Sequence, residues 1–156
     1  MKTTHEKRRL LSRILKIGAG LALLSALPSC VHQNTRQLAP GLSEAGVARM
    51  RTFYVRKDAD DEHKLGEEIV GALQGMGYRA TTGSAPSPSG RVDGVITYSD
   101  KWMWDITMYM ISLDVQLREP GSDATLATAK TVRTSLVRKS QKEMVRETLA
   151  KLLKNS

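Results

Sequence analysis

Few residues of this chain combine the side chains and spacing that covalent or metal chemistry would need. Cys30 is the only cysteine, which excludes an internal disulfide and a cysteine-based metal cluster. His63 is the only histidine in the region predicted to fold, and no serine nucleophile motif, metal-ligand spacing or phosphate-binding loop is present. The sequence therefore predicts that the protein is not an enzyme and binds no metal or cofactor. The one covalent chemistry that it offers is modification of the Cys30 thiol.

The residues before Cys30 have the organisation of a targeting segment. A basic stretch, 1–16, precedes the apolar run Ile17–Leu27. That run has the length of a signal-peptide core and is too short to span a bilayer core of about 30 Å as a helix. Leu-Pro-Ser-Cys at 27–30 resembles the lipobox of bacterial lipoproteins.

The lipobox resemblance implies that residues 1–29 are a signal peptide. It implies that the Cys30 thiol is diacylated and that Cys30 becomes an N-acylated terminus, so the protein meets the membrane through lipid on this residue. Val31, rather than aspartate, follows the cysteine, which implies the outer membrane with the folded part in the periplasm. A secretory signal peptide with an incidental cysteine, or a short N-terminal anchor, is the open alternative.

The basic balance of the chain belongs mostly to this leader. The net charge of the whole chain is +8, and residues 1–29 carry +5 of it, which leaves +3 for the remainder. A strongly basic chain would favour nucleic acid or acidic membrane as a partner, but the remaining charge is ordinary. No nucleic-acid binding is therefore expected.

Residues 30–50 are predicted to be the lipidated N-terminus and a flexible tether. The segment Val31–Met50 mixes polar residues, proline and glycine with no sustained hydrophobic period. A flexible chain of this length reaches roughly 25 Å. The sequence therefore predicts a single folded domain, 51–156, that stands off the membrane.

The remaining pattern predicts the elements of that domain. A β-rich stretch, 51–56, precedes a helix whose apolar stripe ends at Gly77, and a capping box, Ser140 to Glu143, begins the last helix. Between the helices lie short strands, with turns predicted at 100–101 and 119–123. We expect an α+β fold with a four- to five-stranded, mostly antiparallel sheet and two helices on one face, ordered β-α-β-β-β-β-α or β-α-β-β-β-α.

A row of aromatic and methionine residues lies in the strand region that follows Asp100. The candidate partner or ligand surface consists of Trp102, Trp104, Asp105, Met108 and Met110. The apolar alternation of this row is out of phase with that of 109–117. Either a β-bulge near 108–110 resets the phase and buries the row, or the strand is regular and the row is exposed as a contact surface.

The same strand carries a motif that resembles one group of uncharacterised proteobacterial lipoproteins. Their Tyr-x-Asp-x-Trp-x-Trp-Asp-x-x-x-Tyr pattern is matched here by Tyr98, Asp100, Trp102, Trp104, Asp105 and Tyr109. The predicted element order is similar, at the level of fold, to the N-terminal domain of TolB and to LpoB. The resemblance carries no activity. The predicted tether, which keeps the domain near the membrane, and the candidate surface together favour a membrane-anchored, non-catalytic adaptor or accessory subunit with a protein partner in the cell envelope. The alternative is a lipoprotein that binds a small apolar ligand or lipid.

Overall fold

The computed structural model describes residues 33–134 and 136–154. Nine elements follow one another along this part of the chain: β1 (Gln33–Leu38), α1 (Glu44–Arg49), β2 (Thr52–Arg56), α2 (Leu65–Gly75), β3 (Arg79–Gly83), β4 (Gly94–Trp104), β5 (Met108–Arg118), β6 (Thr125–Val132) and α3 (Gln141–Leu153). The strands form one six-stranded sheet in the order β1-β6-β5-β4-β2-β3.

The sheet is mixed in direction. Strand β5 pairs antiparallel with both β4 and β6, so these three strands form a meander. Strand β1 pairs antiparallel with β6 at the edge of this meander. Strand β2 pairs parallel with both β3 and β4. The predicted α+β class is confirmed, whereas the predicted four to five strands and two helices are too few by β1 and α1.

The missing elements lie in the predicted flexible tether, and that prediction is wrong for residues 33–49. Strand β1 carries a polar sequence, so no hydrophobic alternation marked it. Its side chains hold it instead: Asn34 donates to Glu147 at 2.6 Å, and Arg36 donates to the backbone carbonyl of Leu152 at 3.0 Å. Helix α1 begins where the Ser43 hydroxyl accepts the Gly46 N–H at 3.1 Å. The fold therefore begins close to residue 33 rather than at 51.

Helices α2 and α3 begin as the sequence predicts. The Asp61 carboxylate accepts the N–H groups of Leu65 at 2.7 Å and Gly66 at 2.9 Å, which satisfies donors of the first turn of α2. At α3 the Ser140 hydroxyl accepts the Glu143 N–H, and the Glu143 carboxylate accepts the Ser140 N–H in return.

One core lies between the helices and a single face of the sheet. Alternate strand residues supply the sheet side, and the apolar stripes of α2 and α3 supply the other. The core includes Phe53, Val55, Ile96, Leu113, Val115, Leu117, Ile69, Leu73, Met144, Leu149 and Leu152. A β-carbon on Gly94 would meet Leu117 Cδ1 at 2.5 Å, so only glycine allows this close approach between β4 and the core.

The turn predicted at 100–101 is wrong, because β4 continues through it to Trp104. Asp100 and Lys101 read as a turn by composition, but they pair across the sheet with Leu113 and Ser112. The chain reverses instead at 105–107, where the Asp105 N–H donates to the Thr107 carbonyl at 3.3 Å. Among the described residues, no helix is long and apolar enough to cross a membrane.

Candidate functional site

The hairpin formed by β4 and β5 projects past its neighbours in the sheet. Strand β6 pairs with β5 only as far as Ser112, and β2 pairs with β4 only as far as Ile96. The β4–β5 ladder continues to the pair Trp104 and Met108. Three further residues on β4 correspond to about 10 Å of extension beyond the last β6 pair. Residues 103–108 are called the hairpin tip below.

A bulge in β5 sets which side chains share a face at the hairpin tip. Lys101 pairs with Ser112 but Trp102 pairs with Met110, so Ile111 is the extra residue. The bulge returns Met110 and Met108 to the face on which Leu113 lies. The bulge predicted near 108–110 is therefore confirmed, at Ile111, but the predicted burial of the whole row is not, since Trp104 and Met108 are exposed.

Trp102 and Met110 belong to the core and are not part of an open surface. Met110 is fully buried, and Trp102 packs against the core cluster. The Trp102 indole lies 3.9 Å from the His63 ring, centroid to centroid, and its N–H donates to the Asp100 carboxylate. Two of the five candidate surface residues thus contribute to the core, and His63 covers Trp102.

Trp104 and Met108 lie on the same face but beyond the cover of the helices, and both are exposed. The exposed fraction is 72% for Trp104 and 88% for Ile106, which sits in the turn between them. Six large apolar residues are exposed in the described part of the chain. Four of them, Met103, Trp104, Ile106 and Met108, form the hairpin tip, and the other two are Leu136 and Val137.

Asp105 fastens the segment 136–138 to the hairpin tip. Its carboxylate accepts a hydrogen bond from Arg138 at 2.7 Å, and the guanidinium of Arg138 lies 4.0 Å above the Tyr109 ring. Arg138 also donates to the Thr107 hydroxyl at 3.4 Å. The exposed Leu136 and Val137 directly precede this arginine in the chain, and we call the six exposed apolar residues the apolar end.

The sequence could single out only part of the apolar end. The aromatic and methionine row marked Trp104 and Met108, together with the two residues that the core absorbs. Ile106 has the same phase as this row, although it was not among the candidate surface residues. Leu136 and Val137 fell in a predicted return strand, 124–136, and the link after it. No local pattern predicts that two stretches so far apart in the sequence meet at one end of a sheet.

Glu147 ties the start of β1 to the same region. Its carboxylate accepts hydrogen bonds from Asn34 at 2.6 Å, from Lys139 at 2.8 Å and from Arg133. Burial raises the pKa of Glu147, but the hydrogen bonds from Lys139, Arg133 and Asn34 outweigh it and lower the pKa to about 2. The carboxylate is therefore ionised at neutral pH and holds three segments together.

The first residue of β1 lies at the same end of the sheet as the hairpin tip. Gln33 pairs with Val132, which pairs with Ser112, which pairs with Lys101. This row crosses the sheet just below the hairpin tip. Cys30, the predicted lipidation site, lies outside the described residues, and two residues separate it from Gln33 in the sequence.

The described residues bring no group of three or more potential metal ligands together. A cavity of about 670 Å³ lies between strands β2 and β3 and the segment 88–92. Its lining includes Tyr54, Tyr78, Arg79 and Arg91, and none of the candidate surface residues.

Comparison with known proteins gives a similarity of fold. No protein-family model matches the chain, and no curated protein matches it. Two solved structures of the PelC dodecamer from Paraburkholderia phytofirmans are similar, with TM-scores of 0.53 and 0.54 and 12% identity in each. They cover 81% and 79% of this chain and 100% and 99% of theirs. A PDZ domain protein from Parabacteroides distasonis has a TM-score of 0.47 at 8% identity, covering 78% of this chain and 34% of its own.

Proposed function

We propose that the protein is an envelope lipoprotein, acylated on Cys30, whose folded domain is a non-catalytic adaptor or accessory subunit. The observation that carries the proposal is the spacing between the lipobox and the fold. Only two residues separate Cys30 from Gln33, which is already paired in the sheet. Three Cα steps span about 10 Å at most, so an acylated Cys30 holds the domain against the membrane.

This short link gives the adaptor its physical advantage. A domain held at the bilayer meets a membrane-bound partner at a high effective concentration, and no second binding step is needed to bring it there. Val31 after the cysteine supports the outer membrane, with the domain on the periplasmic side.

The protein partner is proposed to dock on the open edge of β1. Within residues 33–134 and 136–154, strand β1 pairs with β6 along one side only and is the last strand of the sheet. Gln33, Thr35 and Gln37 are exposed along it. An edge of unpaired backbone groups accepts a further strand from another chain. PelC, which has a similar fold, is a dodecamer. A second copy of this chain is therefore one partner to test.

The anchor is tested by replacing Cys30 with serine. We expect the unchanged protein to incorporate labelled palmitate and to sediment with outer membranes, because two or three acyl chains bind a bilayer firmly. Cys30→Ser should lose the label and the membrane association. Label retained by Cys30→Ser, or membrane association without any label, would contradict the proposal.

The adaptor role is tested by photo-crosslinking in living cells. A crosslinker at Thr35, on the exposed side of β1, should capture one defined protein, whereas one at Ser122 should not. Ser122 is an equally exposed control in the turn after β5, at the opposite end of the sheet. No adduct from Thr35 in a folded, acylated protein would count against the adaptor role.

The cavity beneath residues 88–92 supports the alternative, a ligand-binding lipoprotein. Its volume of about 670 Å³ falls within the range of small-molecule sites. A carrier of this kind would co-purify with a compound detectable by native mass spectrometry, and the compound would raise the melting temperature. An adaptor would show neither effect.

A further inference from the structure

We propose that the apolar end dips into the lipid surface, as a second membrane contact beside the acyl chains. The inference rests on the proposed anchor at Cys30 and goes beyond it, because it assigns a ligand to residues 103–108 and 136–137. The ligand is the interfacial region of a bilayer.

The chemistry of the apolar end fits that region. Trp104 provides an indole, which favours the boundary between headgroups and acyl chains, and Ile106 projects from the turn with 88% of its surface exposed. Leu136, two residues before the Arg138 that binds Asp105 of the hairpin tip, is 83% exposed. Apolar side chains that project from the end of a hairpin can enter the acyl region without burying unpaired backbone.

The position of β1 favours a lipid bilayer over a protein as the partner of the apolar end. Gln33 and the hairpin tip lie at the same end of the sheet, and the row from Gln33 to Lys101 below the tip spans three strand spacings, or about 14 Å. A lipid on Cys30 lies within about 10 Å of Gln33. The bilayer that holds the acyl chains is therefore the large apolar surface nearest to the apolar end.

Charge contributes little to this contact. Lys101 and Lys139 lie at this end, but so does the acidic segment 58–62, which the stacking of His63 on Trp102 places nearby. The contact is therefore driven by apolar burial, and it should form on zwitterionic as well as anionic vesicles and should resist salt.

The test uses the full acylated chain, purified from membranes and reconstituted in phosphatidylcholine vesicles with brominated acyl chains. Trp102→Phe leaves Trp104 as the only tryptophan. We expect about a twofold loss of its emission in brominated relative to plain vesicles. Trp104→Phe is the matched control, because the remaining Trp102 is covered by His63 and should be quenched far less.

A second control moves the probe to the opposite end of the sheet. Ser122→Trp, placed in a chain with both native tryptophans changed to phenylalanine, should be unquenched. If Trp102→Phe does not fold, the difference in quenching between the unchanged chain and Trp104→Phe measures the same contact.

The outcomes separate the two proposals. No acyl group on Cys30 by mass spectrometry overturns the anchor and this inference with it. An acylated chain in which Trp104 is quenched no more than the Ser122→Trp probe overturns the lipid contact alone. Protection of Trp104 by a second copy or by another protein, shown by crosslinking from position 106, also overturns it.

Discussion

Glu147 accepts hydrogen bonds from side chains that belong to three separate segments of the chain. Its pKa lies below the ordinary value of 4.5, at about 2, because the donors stabilise the ionised form more than burial opposes it. A carboxylate whose pKa is lowered by folding stabilises the folded state above its unfolded pKa. That contribution is lost as the pH falls from about 4.5 towards 2.

We expect Glu147→Gln to lower the free energy of unfolding at pH 7 by about 2 kcal/mol, because a neutral amide replaces the acceptor of charged donors. The variant should also lose much of the decline in stability between pH 4.5 and 2. Urea unfolding at pH 7 and pH 3 measures both effects. Glu62→Gln, at an exposed position, is the control, and an equal loss in both variants would refute the assignment.

Among the elements, helix α2 was predictable from the sequence nearly in full. Its apolar stripe and the glycine after it are local signals, and the structure places both as expected. Gly77 has φ of +89°, a conformation that residues with a β-carbon adopt at a cost. Gly71 lies within the helix, and a β-carbon added there would meet no neighbouring atom within 4 Å.

Gly71, within α2, and Gly77, just after it, give opposite expectations for substitution by alanine. Gly71→Ala should raise the free energy of unfolding by about 0.5–1 kcal/mol, because alanine restricts the unfolded chain and favours a helix. Gly77→Ala should lower it by about 1 kcal/mol, because the left-handed conformation strains alanine. Thermal unfolding of both variants checks the pair, and a shift of the same sign in each would contradict the helix boundary.

Strand β1 and the hairpin tip were less predictable, for physical reasons. Strand β1 lies at the edge and has a polar sequence, so its place depends on partners such as Glu147, more than a hundred residues away. The change in phase of the apolar alternation along the sequence indicated the bulge at Ile111. Whether a residue on that face is buried depends on how far the helices extend. Trp102 is covered and Trp104 is not, although both point the same way.

At the scale of the molecule, the proposed anchor at Cys30 is only two residues from the first strand, and an anchor so placed would limit how far the domain can move from the membrane. A flexible insertion of fifteen Gly and Ser residues between Val31 and His32 would lengthen the reach by about 20 Å. We expect acylation to be unchanged, while quenching of Trp104 by brominated lipid falls because the effective concentration of the apolar end at the bilayer drops.

The same insertion placed at Ser122, in the turn at the far end of the sheet, is the matched control and should leave the quenching of Trp104 unaltered. Quenching that is insensitive to the first insertion would show that the apolar end binds lipid without help from the anchor. Loss of quenching with both insertions would point to damage to the fold.

The direction of β1 has a mechanical consequence. The strand runs from the end of the sheet nearest the proposed anchor along the edge of the sheet, and its hydrogen bonds to β6 lie across that direction. Suppose that a partner bound to the body of the domain pulls it away from the bilayer. The force would act along β1 and load all of these hydrogen bonds together, in shear, instead of opening them one at a time. Strand β1 can thus resist a pulling force, because its hydrogen bonds to β6 share the load.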